Sequence, residues 1–219
     1  MTHSTKTLRD ACESWLKTCE RNELERATLK AYRSHVRVHI EPRIGRLLLS
    51  ELSRAQVRDF MHGLIDDGVS RAQVRKIMVS LRSILSEAVE REWVDHNVAT
   101  DVKLKRSRRV AGDGNTIPTK EEIRLILDHA PRSHRALFTT AIFTGMRISE
   151  LRGLVWDAVD FERRLISVHQ RADEFGEIGP PKSRAGYRDI PMAPTVRRTL
   201  EAWRSEAPES AQGLVFPNE

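Results

Sequence analysis

Cysteine, aromatic residues and long apolar runs are all scarce in this 219-residue sequence, and each scarcity excludes a class of protein. The two cysteines, Cys12 and Cys19, lie seven apart in a segment with helical patterning. At ~1.5 Å rise per residue their Cα atoms stand roughly 10 Å apart, beyond disulfide reach. No Cys/His cluster has zinc spacing, so a reducing, cytoplasmic setting is expected. Aromatics make up 5% of the chain, which leaves the core to Leu, Ile, Val and Ala. No apolar run approaches the ~18 residues of a membrane span, and the polar stretch Met1 to Asp10 has no signal-peptide character.

What is abundant is positive charge. Lys+Arg total 37 against 31 Asp+Glu, with a sequence pI near 9.7 and a mean hydropathy of −0.48. Residues 1–110 hold 22 basic and 15 acidic side chains, net +7; the remainder holds 15 and 16, net −1. An excess confined to one half suits a domain that grips a polyanion. Arg outnumbers Lys 29 to 8, and guanidinium forks suit bidentate phosphate contacts. A GC-rich genome inflates Arg as well, so charge alone suggests nucleic acid without establishing it.

The first hundred residues read as a helical bundle. Leu8, Ala11, Cys12, Trp15, Leu16 and Cys19 share one face of a first helix. Leu29, Tyr32, Val36 and Ile40 do so on a second, over about 26–40, which is expected to stop at Glu41-Pro42 and Gly45. Ser53 with Gln56, and Ser70 with Gln73, give capping-box patterns ahead of two more helices. The core face of the longer one is Val74, Ile77, Leu81, Ile84, Leu85 and Ala88. Its other positions carry Arg71, Arg75, Lys76 and Arg82, read either as groove and phosphate contacts or as a solvated face.

Between this domain (1–104) and a second (119–219) lies an expected basic linker, 105–118. Lys103, Lys105, Arg106, Arg108 and Arg109 put five cations in seven positions, with Gly112, Gly114 and Pro118 following. A solvated tether and a segment laid along a phosphate backbone both fit. Thr119 with Glu122 then caps a helix, a further helix over about 132–144 ends at Gly145, and another begins near Ile148. Leu165 to Val168 and Tyr187 to Met192 pattern as a β-hairpin whose loop, about Ala172–Ala185, carries Lys182 and Arg184. A last helix spans about 194–206, before the apolar Leu214-Val215-Phe216. The expected fold class is mainly α with a small sheet, α+β.

Chemistry concentrates at Thr144-Gly145-Met146-Arg147-Ile148-Ser149-Glu150-Leu151. Arg147 starts a helix and Glu150, three residues on, shares its face. A planar fork of donors steadied by a carboxylate suits a phosphate, and an ordinary surface ion pair has the same spacing. Lys182, in Pro181-Lys182-Ser183-Arg184-Ala185-Gly186-Tyr187-Arg188-Asp189-Ile190-Pro191-Met192, fits a plain phosphate contact on its own.

Together these two segments resemble the first-arginine box and the lysine hairpin of the tyrosine recombinases, the phage-integrase family. The stretch from Tyr32 to Gly45, ending His39-Ile40-Glu41-Pro42-Arg43-Ile44-Gly45, and the later His96-Asn97-Val98 resemble its helical core-binding domain. The resemblance implies a SAM-like N-terminal domain followed by the N-terminal part of a catalytic domain, closing on duplex DNA as a clamp. It implies a tyrosine that attacks a phosphodiester to form a 3′-phosphotyrosyl link and free a 5′-hydroxyl, with no metal, nucleotide or other cofactor. Arg147 would clamp the phosphate, Glu150 would support the site and Lys182 would protonate the leaving oxygen. The implied partners are double-stranded DNA and further recombinase protomers, in a bacterial or phage-encoded, nucleoid-associated protein, with neither a membrane nor a small-molecule substrate.

One departure matters. The family's second box, His-x-x-Arg, and the nucleophilic tyrosine should follow the last strand-like piece, and neither occurs before Glu219. His129-Ala130-Pro131-Arg132 matches that box by chance, on the wrong side of Arg147. Tyr32 falls in an apolar face and Tyr187 inside the lysine hairpin. The expectation is an integrase cut within its catalytic domain, with no arm-type DNA-binding domain ahead of it. A DNA-binding remnant that occupies recombination sites is the competing reading. A helical transcription factor leaves the arginine box and the lysine hairpin unexplained.

Overall fold

Helix α1 (Leu8–Arg21) starts where Thr7 accepts from the Asp10 amide and the Asp10 carboxylate accepts from the Thr7 amide at 2.7 Å. The structure, a computed structural model, describes residues 5–105 and 117–217. Arg106, Arg108 and Arg109 lie outside the described residues. Two units, Met1–Val110 and Ala111–Glu219, each carry their own hydrophobic core.

In the first unit, α1 is followed by α2 (Arg26–Ser34), α3 (Glu41–Ile44), α4 (Arg54–Asp66) and α5 (Arg71–Glu90). Of the expected stop around Glu41-Pro42 and Gly45, only Gly45 ends the helix. Residues His35–Ile40 form a π-helical stretch, the Glu41 amide donates five back to Val36, and α3 adds one more turn before Gly45. Pro42, which has no N–H to donate, follows directly on this wide turn at the start of α3. The His35 ring nitrogen pairs with Ser80 Oγ at 2.8 Å, pinning the wide turn to α5, and burial pushes the His35 pKa down.

The α5 face from Val74 to Ala88 is buried throughout, against Leu8, Cys12, Trp15, Val36, Ile40, Val57, Phe60 and Leu64. Both cysteines are free and buried, and burial pushes the Cys12 thiol up to about 12. Tyr32 packs on Trp15 with ring centroids 4.6 Å apart. Buried Glu87 accepts from Ser14 and Thr18 at 2.9 Å each and from Arg91 at 2.7 Å, so its charge is satisfied. The His96-Asn97-Val98 piece folds back on α5: Asn97 Nδ2 donates to the Arg82 carbonyl and to Ser86 Oγ, both at 2.9 Å.

The second unit runs α6 (Lys120–His129), α7 (Arg132–Thr144), α8 (Ile148–Arg152), strands β1 (Val159–Asp160), β2 (Leu165–Val168), β3 (Arg171–Ala172), β4 (Ile178–Gly179) and β5 (Arg188–Pro191), then α9 (Pro194–Arg204). The Thr119–Glu122 capping box forms. Three strands pair antiparallel in the order β1-β2-β5, with Val168 opposite Arg188 and Ile166 opposite Ile190. Period two turns Ile166 and Val168 to the core, where they meet Leu151, Leu154, Val196, Leu200 and Val215.

The β2–β5 connection contains a second hairpin that the sequence pattern did not reveal. Its strands are β3 and β4, and Asp173 closes the tip by accepting from the Phe175 and Glu177 amides at 2.8 and 3.0 Å. Lys182 therefore does not sit at a hairpin tip. It follows Pro180-Pro181, which lack the N–H groups a ladder needs, and precedes a 3-10 turn at Arg184–Gly186.

Two glycines set the approach to α8. Gly145 takes φ 63° and ends α7, donating to the Ala141 carbonyl at 3.0 Å. Gly153 ends α8 where β3 crosses: a Cβ there would stand 2.6 Å from the Ala172 nitrogen and the Arg171 Cα. Gly153→Ala is thus expected to push β3 off α8 at a cost of about 1–3 kcal/mol, measured by urea unfolding. Gly63→Ala, which meets no atom within 4 Å, should cost nothing and serves as the control.

Candidate functional site

Helix α8 is only one turn long, and its start is held by side chains. Arg147 is the residue before its first turn, with extended φ −70° and ψ 153°, and Glu150 reaches back to the Arg147 amide at 2.9 Å. The same carboxylate accepts from Arg147 Nη1 at 2.8 Å. Glu150 is 3% exposed and Arg147 72% exposed, so a buried anion anchors a guanidinium that stands in solvent.

A third member completes the arrangement. Arg188 opens β5, donating through Nη2 to Glu150 Oε2 at 2.8 Å and through Nη1 to Oε1 at 3.1 Å. It also donates to the Gly186 carbonyl at 3.1 Å. Four donated bonds converge on one carboxylate. The Arg188 fork foremost, with the Arg147 amide and guanidinium, holds the Glu150 carboxyl down to about 2 against burial. Two guanidiniums face one carboxylate, which leaves the trio one positive charge in surplus.

Sequence reasoning missed Arg188, although a signal was present. Arg188 and Ile190 alternate on the core side of β5, opposite Val168 and Ile166. A charge on an apolar strand face requires a buried partner. That partner, Glu150, is 38 residues upstream.

Of the other residues singled out, Lys182 and Arg184 are exposed, on the segment that ends at Arg188. In the first unit, Arg71, Lys103 and Lys105 come together with Arg58 and His62 around a 680 Å³ cavity. Asp101, the one lining acid among the described residues, pairs with Arg54 at 2.8 Å. Arg71 Nη2 donates to the Lys105 carbonyl at 2.6 Å. Arg75 and Lys76 are exposed on α5, whereas the Arg82 guanidinium donates to the carbonyls of Ala99 and Val102 at 3.2 Å. His129, of the chance His-x-x-Arg match, hydrogen-bonds the Leu125 carbonyl, and Arg132 pairs with Glu206.

Comparison with known proteins gives this geometry a family. Residues 118–219 match the phage integrase family, and residues 7–65 match the phage integrase N-terminal SAM-like domain. A tyrosine recombinase XerC-like protein of Caldanaerobacter subterraneus subsp. tengcongensis is 27% identical over 201 residues, 89% of this chain and 51% of that one. The prophage integrase IntR of Escherichia coli K12 is 23% identical over 219 residues, 94% of this chain and 51% of its own length. The chain thus spans about half the length of these curated relatives.

Among solved structures, the Tn1549 transposon integrase in complex with a circular intermediate DNA superimposes with a TM-score of 0.80 at 19% identity, covering 95% of this chain and 69% of that one. A lambda integrase dimer bound to a COC′ core site gives a TM-score of 0.75 at 17% identity, over 97% and 74% of the two chains. These likenesses establish the fold. With both of its units matched, this chain belongs to the phage integrase family of tyrosine recombinases.

Proposed function

We propose that this chain binds duplex DNA and supplies the phosphate-clamping part of site-specific recombination. The observation that carries the reading is the Arg147–Glu150–Arg188 trio: a solvent-facing guanidinium, held by a buried carboxylate, with one positive charge in surplus. Integrases of similar fold have been solved on DNA, one of them as a dimer, which supports duplex DNA and further protomers as partners.

Arg147 donates to a non-bridging phosphate oxygen and opposes the charge that builds as the phosphorane forms. Glu150 holds Arg147, and Lys182 protonates the departing 5′-oxygen. The cations lining the first unit's cavity, with Arg75, Lys76 and the basic run through Arg109, neutralise backbone phosphates and fix the duplex without reading its sequence.

A salt titration of duplex binding tests this. If about five phosphates are neutralised, log K falls against log salt with a slope of about −4 to −5. Replacing Lys103, Lys105, Arg106, Arg108 and Arg109 with Ala should flatten the slope and weaken binding to every duplex alike. A slope near zero for the unaltered chain would end the proposal.

The chain alone is expected to form no covalent adduct. Its two tyrosines are Tyr32, packed on Trp15, and Tyr187, on the Lys182 segment between a 3-10 turn and β5. A half-site suicide duplex should give no denaturant-stable band. A band that disappears on Tyr187→Phe would instead make Tyr187 the nucleophile.

A further inference from the structure

Arg147 alone could close on Glu150 as a two-pronged fork, the usual arrangement of a guanidinium and a carboxylate. It would then cancel the local charge and spend its donors on the protein. It does not close, because Arg188 already lies along both carboxylate oxygens. Arg147 is left with one side-chain bond, to Oε1. The Arg188 guanidinium also bonds the Gly186 carbonyl, the last residue of the turn that follows Lys182. One side chain therefore joins α8, strand β5 and the Lys182 segment.

We propose that Arg188 is a positioning residue: it occupies Glu150 so that Arg147 stays open to a phosphate, and it ties the Lys182 segment to α8. The proposal deepens the reading of this site as a phosphate clamp. Without Arg188 the remaining pair has no net charge, and only the Arg147 amide on Oε2 still competes with a closing Arg147 fork. The register places Arg188 for this role: opposite Val168 on the core side of the sheet, it reaches a carboxylate that a one-residue slip would turn it away from.

The test uses the chain as it is. The Arg147 Nε–Hε NMR signal is followed in the free protein and during titration with inorganic phosphate, and amide hydrogen exchange is recorded alongside. Arg188→Ala is expected to move the Arg147 signal before any phosphate is added. Exchange at Gly186 and Tyr187, whose amides bond Ser183 and Arg184 within the turn, should rise. Phosphate affinity at Arg147 should drop about tenfold, the effect of one unit charge across a few Å of partly solvated site.

Arg188→Lys, which keeps the charge and loses the fork, should recover only the part of the phosphate affinity that is due to charge, while the Arg147 signal stays displaced. A purely structural role for Arg188 would not give that split, and Arg188→Lys carries the test alone if Arg188→Ala does not fold. An Arg188 variant that keeps the wild-type Arg147 signal, turn exchange and phosphate affinity, with α5 equally protected, overturns the proposal. Failure of the phosphate-clamp reading looks different: phosphate leaves the wild-type Arg147 signal unmoved, and the free-protein measurements still decide what Arg188 does.

Discussion

Arg147→Lys, in a protein that joins this chain to a tyrosine-bearing segment, is expected to slow strand cleavage about 10²–10³-fold, roughly 2.7–4 kcal/mol of transition-state stabilisation. The phosphorane carries more negative charge than the diester, so a donor aimed at it acts chiefly in the transition state. Lysine keeps the charge but has neither the planar fork nor the reach that lets Arg147 bond Glu150 and a phosphate oxygen together. Duplex affinity should change little, because most of the proposed phosphate contacts lie elsewhere. Lys182→Ala should also slow cleavage, and a 5′-bridging phosphorothiolate should rescue it, since sulfur leaves without a proton. Wild-type cleavage by Arg147→Lys, or failure of the sulfur substrate to rescue Lys182→Ala, would remove the role given to that residue.

The second large effect concerns stability in acid. Glu150 titrates at about 2 in the folded chain against an ordinary 4.5. A carboxyl depressed by folding stabilises the native state above its unfolded pKa, and that stabilisation is lost as pH falls through the folded one. The window therefore runs from about 4.5 down to about 2, and the shift corresponds to about 3 kcal/mol at neutral pH. Glu150→Gln should cost about 2–4 kcal/mol at pH 7, because it leaves half-buried Arg188 without its counter-charge. The gap between wild type and variant should narrow steadily below pH 4.5. Urea unfolding at pH 7, 5, 4 and 3 measures it. The capping carboxylates Asp10 and Glu122, both lowered by their caps, titrate in either protein and cancel in the difference. A gap that is constant with pH would mean that Glu150 is not the charged hub of the site.

What could be read from the sequence was local. The Ser53–Gln56 and Thr119–Glu122 boxes, the α5 core face, the end of α7 at Gly145 and the start of α8 at Arg147 all depend on residues within a turn of one another. The pairing of Leu165–Val168 with the later strand was legible from alternation.

What escaped depended on distant partners or on turn geometry. The π-helical stretch at His35 gives no periodic signature, since it shifts the face by a single residue and is fixed by Ser80 on another helix. Arg82 reads as an outward cation, yet its guanidinium caps the carbonyls of a segment folded back along α5. The β3–β4 hairpin has two residues in each strand, too few to show a pattern. Arg147 and Glu150 were visible as neighbours. Arg188 was not, because only the β2–β5 register brings it to Glu150.

The central claim is that Arg147 and Lys182 meet the phosphates of bound DNA, and side-chain NMR of the chain saturated with a duplex of about 30 base pairs tests it most directly. The prediction is that the Arg147 Nε–Hε and Lys182 Nζ signals shift on DNA and return when salt releases the duplex. Saturation with DNA that leaves both signals at their free positions, while the cations of the first unit respond, would contradict it.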